Sequence, residues 1–449
     1  MKPIKILIVL AVLQPHLYSQ GVSKDIDFTK YANPFVGAAE FGHCFPGACV
    51  PFGNIQASPE TGNCNWEYCS GYQYKDKRIS GFAQTRLNGT GCPDLGDLLI
   101  MPFSGEARRT DYSSEINKSS EQASPGYYAV QLADFDIKAE ATASAHSAIY
   151  RLTYNGGEVP HLLIDFQSNT VGNRNDFSNH VLDSNVEFDG DRTITGFTRT
   201  KIWVDRVYYY VIEFSRPYSA KTELEKRNNG EKAPRHVFGF ELKPGEQLLV
   251  KIALSATSVE GAKRNLHAEV PAWDFDLVRS DAGKLWNSML SRVRIDGSRA
   301  QKNIFYTAMY HLFIQPNTIA DAGEKPQYST LSLWDTYRAA HPLYTIIAPE
   351  KVDGFINSFL GQYDRQGFLP IWALWGKETF CMIGNHSVPV IVDAYLKGFK
   401  GFDAEKAYQA IKTSLTQNHQ KSDWATYNKY GYYPFDLVNA ESVSRTLES

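Results

Sequence analysis

A chain of 449 residues, 43% hydrophobic and 21% charged, has room for two or three domains that each bury a core. Its 46 Lys+Arg against 49 Asp+Glu leave a formal net charge of −3, which builds no basic field and argues against nucleic acid or an anionic membrane as partner. Aromatic residues reach 13%, with 26 Tyr and 25 Phe. Such rings stack on the C–H faces of sugars, and strands of large β-rich proteins use them as well.

The first element in chain order is a leader. Lys2 and Lys5 precede an apolar run over 6–13, and cleavage is expected near Ser19 or Gln20, which makes 1–20 a signal peptide of a secreted or periplasmic protein. The run is too short to cross a bilayer, which takes about 20 residues, and no later segment is apolar enough to span. Of six cysteines, Cys44, Cys49, Cys64, Cys69 and Cys92 crowd the N-terminal part and Cys381 stands alone. Local Cys44–Cys49 and Cys64–Cys69 loops are open to an oxidising compartment, but sequence cannot choose among the pairings. No C-x-x-C pair suggests structural zinc.

From about Asp27 to Leu266, short Val-, Ile-, Thr- and Tyr-rich runs alternate with turn signals, as in 137–154, 161–166, 193–214 and 247–256. Asn-Gly at Asn155 and Asn229 and Asp-Gly at Asp189 mark tight turns. Many strands without intervening helices predict an antiparallel β-sandwich. Helical periodicity follows over 273–292, with Leu277, Leu285, Met289 and Val293 as its apolar face, and over 301–313, with Ile304, Ala308 and Leu312. Further helices are expected at 349–363, 387–398 and 403–415, the last capped by Asp403 with Ala404, Ala407, Tyr408, Ile411 and Leu415 inward. The segment 441–448 reads as a helix beginning, without a Gly stop, which implies an incomplete helical domain.

Four loop clusters carry non-repetitive chemistry. One runs from Asn33 to Tyr72 through Trp66, and a second from Gly89 to Asp97. The third is Ser332-Leu-Trp-Asp-Thr-Tyr-Arg338; the fourth is Trp372-Ala-Leu-Trp-Gly-Lys-Glu378 with Cys381 to Ser387. Trp beside acids and Arg is the material of a sugar subsite, an aromatic platform with charged groups that grip adjacent hydroxyls. The same residues also shape turns. Asp94 and Asp97 read as turn residues rather than metal ligands, and His386 as a hydrogen-bonded helix-start residue rather than a base. Gly89-Thr-Gly-Cys is no phosphate loop, since no Gly-Lys-Ser/Thr follows, and no Gly-x-Ser-x-Gly elbow is present.

Phe82-Ala-Gln-Thr-Arg-Leu-Asn-Gly-Thr-Gly-Cys92, Ser332-Leu-Trp-Asp-Thr-Tyr-Arg338, His341-Pro-Leu343 and Cys381-Met-Ile-Gly-Asn-His-Ser387 together resemble glycoside hydrolase family 92, the calcium-dependent exo-acting α-mannosidases. The resemblance implies a leader at 1–20, an N-terminal antiparallel β-sandwich at 21–266, a helical linker at 267–300 and the first part of an (α/α)6 barrel, a partial catalytic domain, at 301–449. It implies inverting hydrolysis of mannose-containing glycans, N-glycans or mannan with α-1,2 linkages favoured, and calcium as cofactor. The family's general acid and base lie in motifs absent here and expected beyond Ser449, so no catalytic residue carries over. Substrate recognition does carry over: Trp66 over the leaving sugar and Asp335 on hydroxyls of the cleaved mannose, with Arg338, Trp372, Trp375 and Glu378 in the same pocket. The alternative is a non-catalytic carbohydrate-binding protein. Two departures bear on linkage, Gln84 where the family often has His and Asn385 where it often has Tyr.

Overall fold

The computed structural model describes residues 26–62, 66–169, 180–228 and 230–449; the expected leader, Cys64 and the turn expected at Asn229 lie outside them. Two antiparallel sheets face each other. In one, the neighbours in order are Ser58–Glu60, Gly81–Ala83, Leu99–Ser104, Pro160–Asp165, Arg235–Phe240 and Tyr218–Glu223. In the other they are Val181–Asp189, Thr193–Lys201, Asp205–Phe214, Glu246–Ser255, Ser147–Tyr154, Ile137–Ala143, Tyr127–Leu132 and Gln122–Ser124.

The side-chain period of two explains why the larger sheet's strands read as near-continuous apolar runs. Tyr128, Val130, Tyr150, Ile212, Ile252 and Leu254 point into the core between the sheets. Their neighbours Tyr127, Ala129, Ile149, Val211 and Ala253 point outward, where Ala262, Leu266 and Val270 cover them. Those three belong to helix α1 (Val259–Glu269) and its C-cap, and Ser258 caps its N-terminus by accepting from the Gly261 N–H. Two of the core tyrosines find partners for their hydroxyls: Tyr150 donates to Gln84 Oε1 at 2.9 Å and Tyr154 to the His161 carbonyl at 2.7 Å.

Helices α2 (Phe275–Leu290), α3 (Arg299–Ile314), α4 (Leu333–Thr336), α5 (Ala340–Ile347), α6 (Pro349–Gln366), α7 (Ser387–Leu396), α8 (Ala404–Thr416), α9 (Trp424–Tyr430) and α10 (Ala440–Glu448) follow. The expected helices exist, but two apolar faces are rotated. In α2, Leu277 and Leu285 are exposed, and the buried stripe is Phe275, Ala282, Trp286, Met289 and Leu290. In α3, Ile304 is 73% exposed, while Tyr306, Tyr310 and Phe313 go inside. The reason is that aromatic rings with a satisfied polar end outweigh smaller aliphatics: Trp286 Nε1–H donates to the Cys49 carbonyl at 2.6 Å and Tyr306 to the Val293 carbonyl at 3.0 Å. Asp403 caps α8 as expected, accepting from the Lys406 N–H, but Ala407, Ala410 and Ser414 form its buried side and Tyr408 is exposed.

The helical core also takes residues from the start of the chain. Phe28, Phe45, Cys49 and Phe52 pack with Tyr310, Phe313, Tyr344 and Phe355. Phe52 lies edge-on to Phe313, and its N–H donates to the Phe313 carbonyl at 2.8 Å. Thus the segment preceding the sandwich is stitched into the helices that come after it.

Candidate functional site

Trp66 opens a short 3-10 turn and is 49% exposed, with one edge against His43 at 4.5 Å between centroids. Its Nε1–H donates to the Gly91 carbonyl at 2.9 Å. A Cβ on Gly91 would sit 2.6 Å from Trp66 Cζ2, so glycine is required there for the ring to lie down on the loop. The loop itself is anchored from beneath. Arg206, fully buried on Asp205–Phe214, donates to Asp97 at 2.8 and 3.0 Å and to Asp94 at 3.1 Å. Thr85 Oγ1 donates to Asp97, and the Leu95 and Trp203 N–H groups donate to Asp94. Asp94 and Asp97 are therefore more than the turn residues expected from sequence: they fasten the 88–98 loop to the sheet through a buried ion triad.

The second set of predicted residues sits on α4 and the turn after it. Asp335 is exposed and accepts a short hydrogen bond from Ser332 Oγ. Arg338 is exposed and donates to the Tyr337 hydroxyl at 2.6 Å, and Tyr337 in turn stacks on His386 at 4.3 Å with planes 10° apart. His386 occupies the N-cap position of α7 without a side-chain cap bond, so the expected hydrogen-bonded start is replaced by this stack and by Glu448 at 3.6 Å. Burial holds the His386 imidazole below its ordinary range.

The two sets are joined by Cys92 and Cys381, whose sulfurs lie 3.5 Å apart, with the charge of Asp335 reaching Cys381. Arg445 of α10 secures the Cys381 loop by donating to the carbonyls of Phe380 and Met382. Nothing in the sequence signalled this junction, because its halves are 289 residues apart.

Trp372, Trp375 and Glu378 are placed differently. Trp372 is 2% exposed, on a strand pairing with Leu331–Ser332. Trp375 Nε1–H donates to the Val207 carbonyl at 2.9 Å, and Arg206 lies over its ring at 5.5 Å, so it fills the seam between sheet and helices. The Glu378 carboxylate accepts from the N–H groups of Ile371, Trp372 and Phe380 at 2.7, 3.0 and 2.8 Å, closing the hairpin that carries both tryptophans. Burial pushes its carboxyl up to about 7. Trp375 and Glu378 border a seam cleft of about 820 Å³ shared with Tyr209, Thr257, Gln362 and Arg365; Trp66, Asp335 and Arg338 do not line it.

The two departures also differ. Gln84 is fully buried among the strands, donating to the Phe82 and Leu98 carbonyls and accepting from Tyr150, which places it in the core. Asn385 is buried beside His386 and donates to Ser449 Oγ at 2.7 Å. Calcium takes six to eight oxygen ligands. Among the described residues no group of three or more His, Cys, Asp or Glu side chains that could hold a metal ion is found, and Asp94 with Asp97 are already bound by Arg206.

The loop carrying Cys92 and the loop carrying Cys381 thus meet where the β-sandwich is set against the helical domain. Residues 31–255 match the family model of the glycosyl hydrolase family 92 N-terminal domain, and residues 261–449 match that of the family 92 catalytic domain. The chain belongs to glycoside hydrolase family 92. It is similar to a family GH92 α-mannosidase from Bacteroides thetaiotaomicron, at 35% identity and TM-score 0.86, covering 94% of this chain and 61% of that one. The same enzyme solved with mannoimidazole gives a TM-score of 0.85. A family GH92 inverting mannosidase from B. thetaiotaomicron VPI-5482 is 26% identical, with TM-score 0.81, over 92% of this chain and 60% of that one. A protein of Arthroderma benhamiae described as an uncharacterized secreted glycosidase is 25% identical over 94% of this chain and 58% of its own length. The chain thus spans about three fifths of these relatives' length. Its helices correspond to the first part of an (α/α)6 barrel. No described helix is long and apolar enough to cross a membrane.

Proposed function

We propose that this chain is the substrate-recognising portion of an exported exo-α-mannosidase that removes terminal mannose, with α-1,2 linkages preferred, from N-glycans or mannan. The observation that carries the reading is the juxtaposition, through Cys92 and Cys381, of an exposed tryptophan platform with a loop presenting an exposed acid and an exposed arginine. Trp66 stacks on the leaving sugar. The Asp335 carboxylate accepts from a pair of mannose hydroxyls, and Arg338 donates to a third. The mannoimidazole complex of the similar enzyme supports a mannose-like ligand. The basic and apolar start of the chain, together with a relative described as secreted, supports export.

Hydrolysis is proposed for the whole protein. An inverting mechanism needs an acid and a base about 6.5–9.5 Å apart, with water between them. We assign neither within this chain, since Glu378 is committed to three N–H groups. Calcium enters through the family alone, and no step is drawn through it.

The test couples binding to turnover on α-1,2-mannobiose. Calorimetric binding to 1–449 is expected, with loss in Asp335→Asn at an unchanged melting temperature. Mannose release, abolished by a calcium chelator, is expected from a protein that also carries the family's acid and base motifs. Binding without release by that longer protein would establish the sugar-binding alternative instead. If a panel of aryl glycosides shows another sugar released fastest, mannose is the wrong substrate.

A further inference from the structure

Five cysteines lie among the described residues, and Cys92 and Cys381 carry free thiols. Three are occupied locally. Cys44 donates to the Gly42 carbonyl, Cys69 to the Trp66 carbonyl, and Cys49 sits 3.7 Å from the Tyr310 hydroxyl in the helical core. Cys92 and Cys381 instead meet each other, Sγ to Sγ at 3.5 Å, across the seam between sandwich and helices. Both are half-buried, so small thiol reagents can reach them.

The approach is held from both sides. Cys92 rides on the loop fastened by the Arg206, Asp94 and Asp97 triad. Cys381 stands between Phe380 and Met382, both at positive φ (55° and 70°), with Arg445 bound to the carbonyls of both neighbours. The Cys381 N–H donates to Thr379 Oγ1 at 3.1 Å. A disulfide needs its sulfurs at about 2.05 Å, so about 1.5 Å of approach by side-chain rotation closes the bond. The contact between the two thiols holds Cys381 below the ordinary thiol range and Cys92 above it, which supplies one ready nucleophile.

We propose that Cys92 and Cys381 form a redox-responsive disulfide that locks the sandwich to the helical domain beside the recognition loops. The oxidant is a small-molecule or protein disulfide. The Cys381 thiolate attacks one of its sulfurs, breaking that S–S bond and releasing the first thiol. The Cys92 thiolate then attacks Sγ of Cys381 in the mixed disulfide, forming the Cys92–Cys381 bond and releasing the second thiol. The two protons lost from the cysteines leave with those thiols, and two cysteine thiols are oxidised for one disulfide reduced. The link ties the Gly91 carbonyl that holds Trp66 to the loop beside Asp335, so oxidation fixes the distance between platform and acid. This inference stands on the sulfur geometry and is independent of the sugar bound.

The purified full chain is equilibrated across ratios of reduced to oxidised glutathione, alkylated with iodoacetamide, digested and mapped by mass spectrometry. Under oxidising conditions the expected product is one cross-linked peptide pair containing Cys92 and Cys381, two hydrogens lighter than the separate peptides and lost on treatment with dithiothreitol. Oxidation is expected to raise the melting temperature by roughly 5–10 °C, because the link closes a very long loop. In Cys92→Ser the cross-linked pair and the thermal shift disappear, and under oxidising ratios Cys381 is recovered as a mixed disulfide with glutathione. Separate alkylation of Cys92 and Cys381 in the folded, fully oxidised wild-type protein overturns the proposal. So does finding either one linked to another cysteine instead. Because the mapping is done on the unmodified chain, failure of a variant to fold does not blunt the test.

Discussion

Replacing Arg206 by Met removes the cation from a buried site that holds two carboxylates. The side chains of Arg206, Asp94 and Asp97 are 0–2% exposed, so water cannot take over the lost role without entering the core. Three charge-assisted hydrogen bonds vanish. The Thr85 hydroxyl stays on Asp97 and the Leu95 and Trp203 N–H groups on Asp94, all neutral donors. Breaking a buried pair in this way costs about 3–5 kcal/mol, most of it the desolvation penalty of the carboxylates that lose their guanidinium. Guanidinium denaturation followed by tryptophan fluorescence reads the loss. Removing all three charges with Asp94→Asn and Asp97→Asn alongside Arg206→Met should recover most of the loss. A loss under about 1 kcal/mol refutes the view that this triad fastens the loop.

Gly91→Ala forces the Trp66 ring off the loop, since the new Cβ falls 2.6 Å from Cζ2. Binding of α-1,2-mannobiose by calorimetry is expected to fall about as far as in Trp66→Ala, roughly 3–10-fold; an unaffected Gly91→Ala would remove the platform from the site. Glu378→Gln turns an NH₂ toward N–H donors and should cost about 1–3 kcal/mol in a thermal melt. If it weakens sugar binding while leaving the melt alone, Glu378 belongs to the pocket. His341, ringed edge-on by Tyr344, Phe355 and Phe359, is pushed down to about 4 by burial. Its folded value lies below the unfolded 6.5, so the folded state binds fewer protons; the stabilisation is full above pH 6.5 and is lost as pH falls toward 4. Up to about 3 kcal/mol of acid-side slope should vanish in His341→Leu, as read from denaturation midpoints across that window. An unchanged slope would mean the imidazole is hydrated.

The sandwich was legible because its strand-forming runs alternate with turn signals, whereas the helix α1 that covers the outer face of the larger sheet was not read from the sequence. Helices were legible as helices, but not their orientation. Hydropathy ranks Ile304 above Tyr306 and Tyr310, whereas the folded chain rewards the larger ring once its hydroxyl finds an acceptor, as Tyr306 does at Val293. The site was legible only in part. Trp beside an acid describes both an open subsite and a packed seam, and the sequence carries no sign that Trp66 is half-exposed while Trp372 is enclosed. Reading Glu378 needed the three N–H groups around its carboxylate. The sulfur contact between Cys92 and Cys381, like the Arg206 triad, joins segments whose proximity exists only after both domains have formed.

The stitching of Phe28, Phe45 and Phe52 into the helical core has a consequence for how the chain is made and how it can be divided. During synthesis these residues leave the ribosome first, yet their partners on α3, α5 and α6 come after the entire sandwich. Until then the segment waits with three large rings in water, each worth about 2–3 kcal/mol when covered. The helices cannot settle into their final packing without it. Cutting the gene between the last strand and α1 would therefore yield a helical piece missing part of its own interior, and a sandwich trailing a sticky leader. The divisible units of this protein are not contiguous stretches of its sequence: a helical domain expressed by itself would need residues 26–53 supplied as a separate peptide.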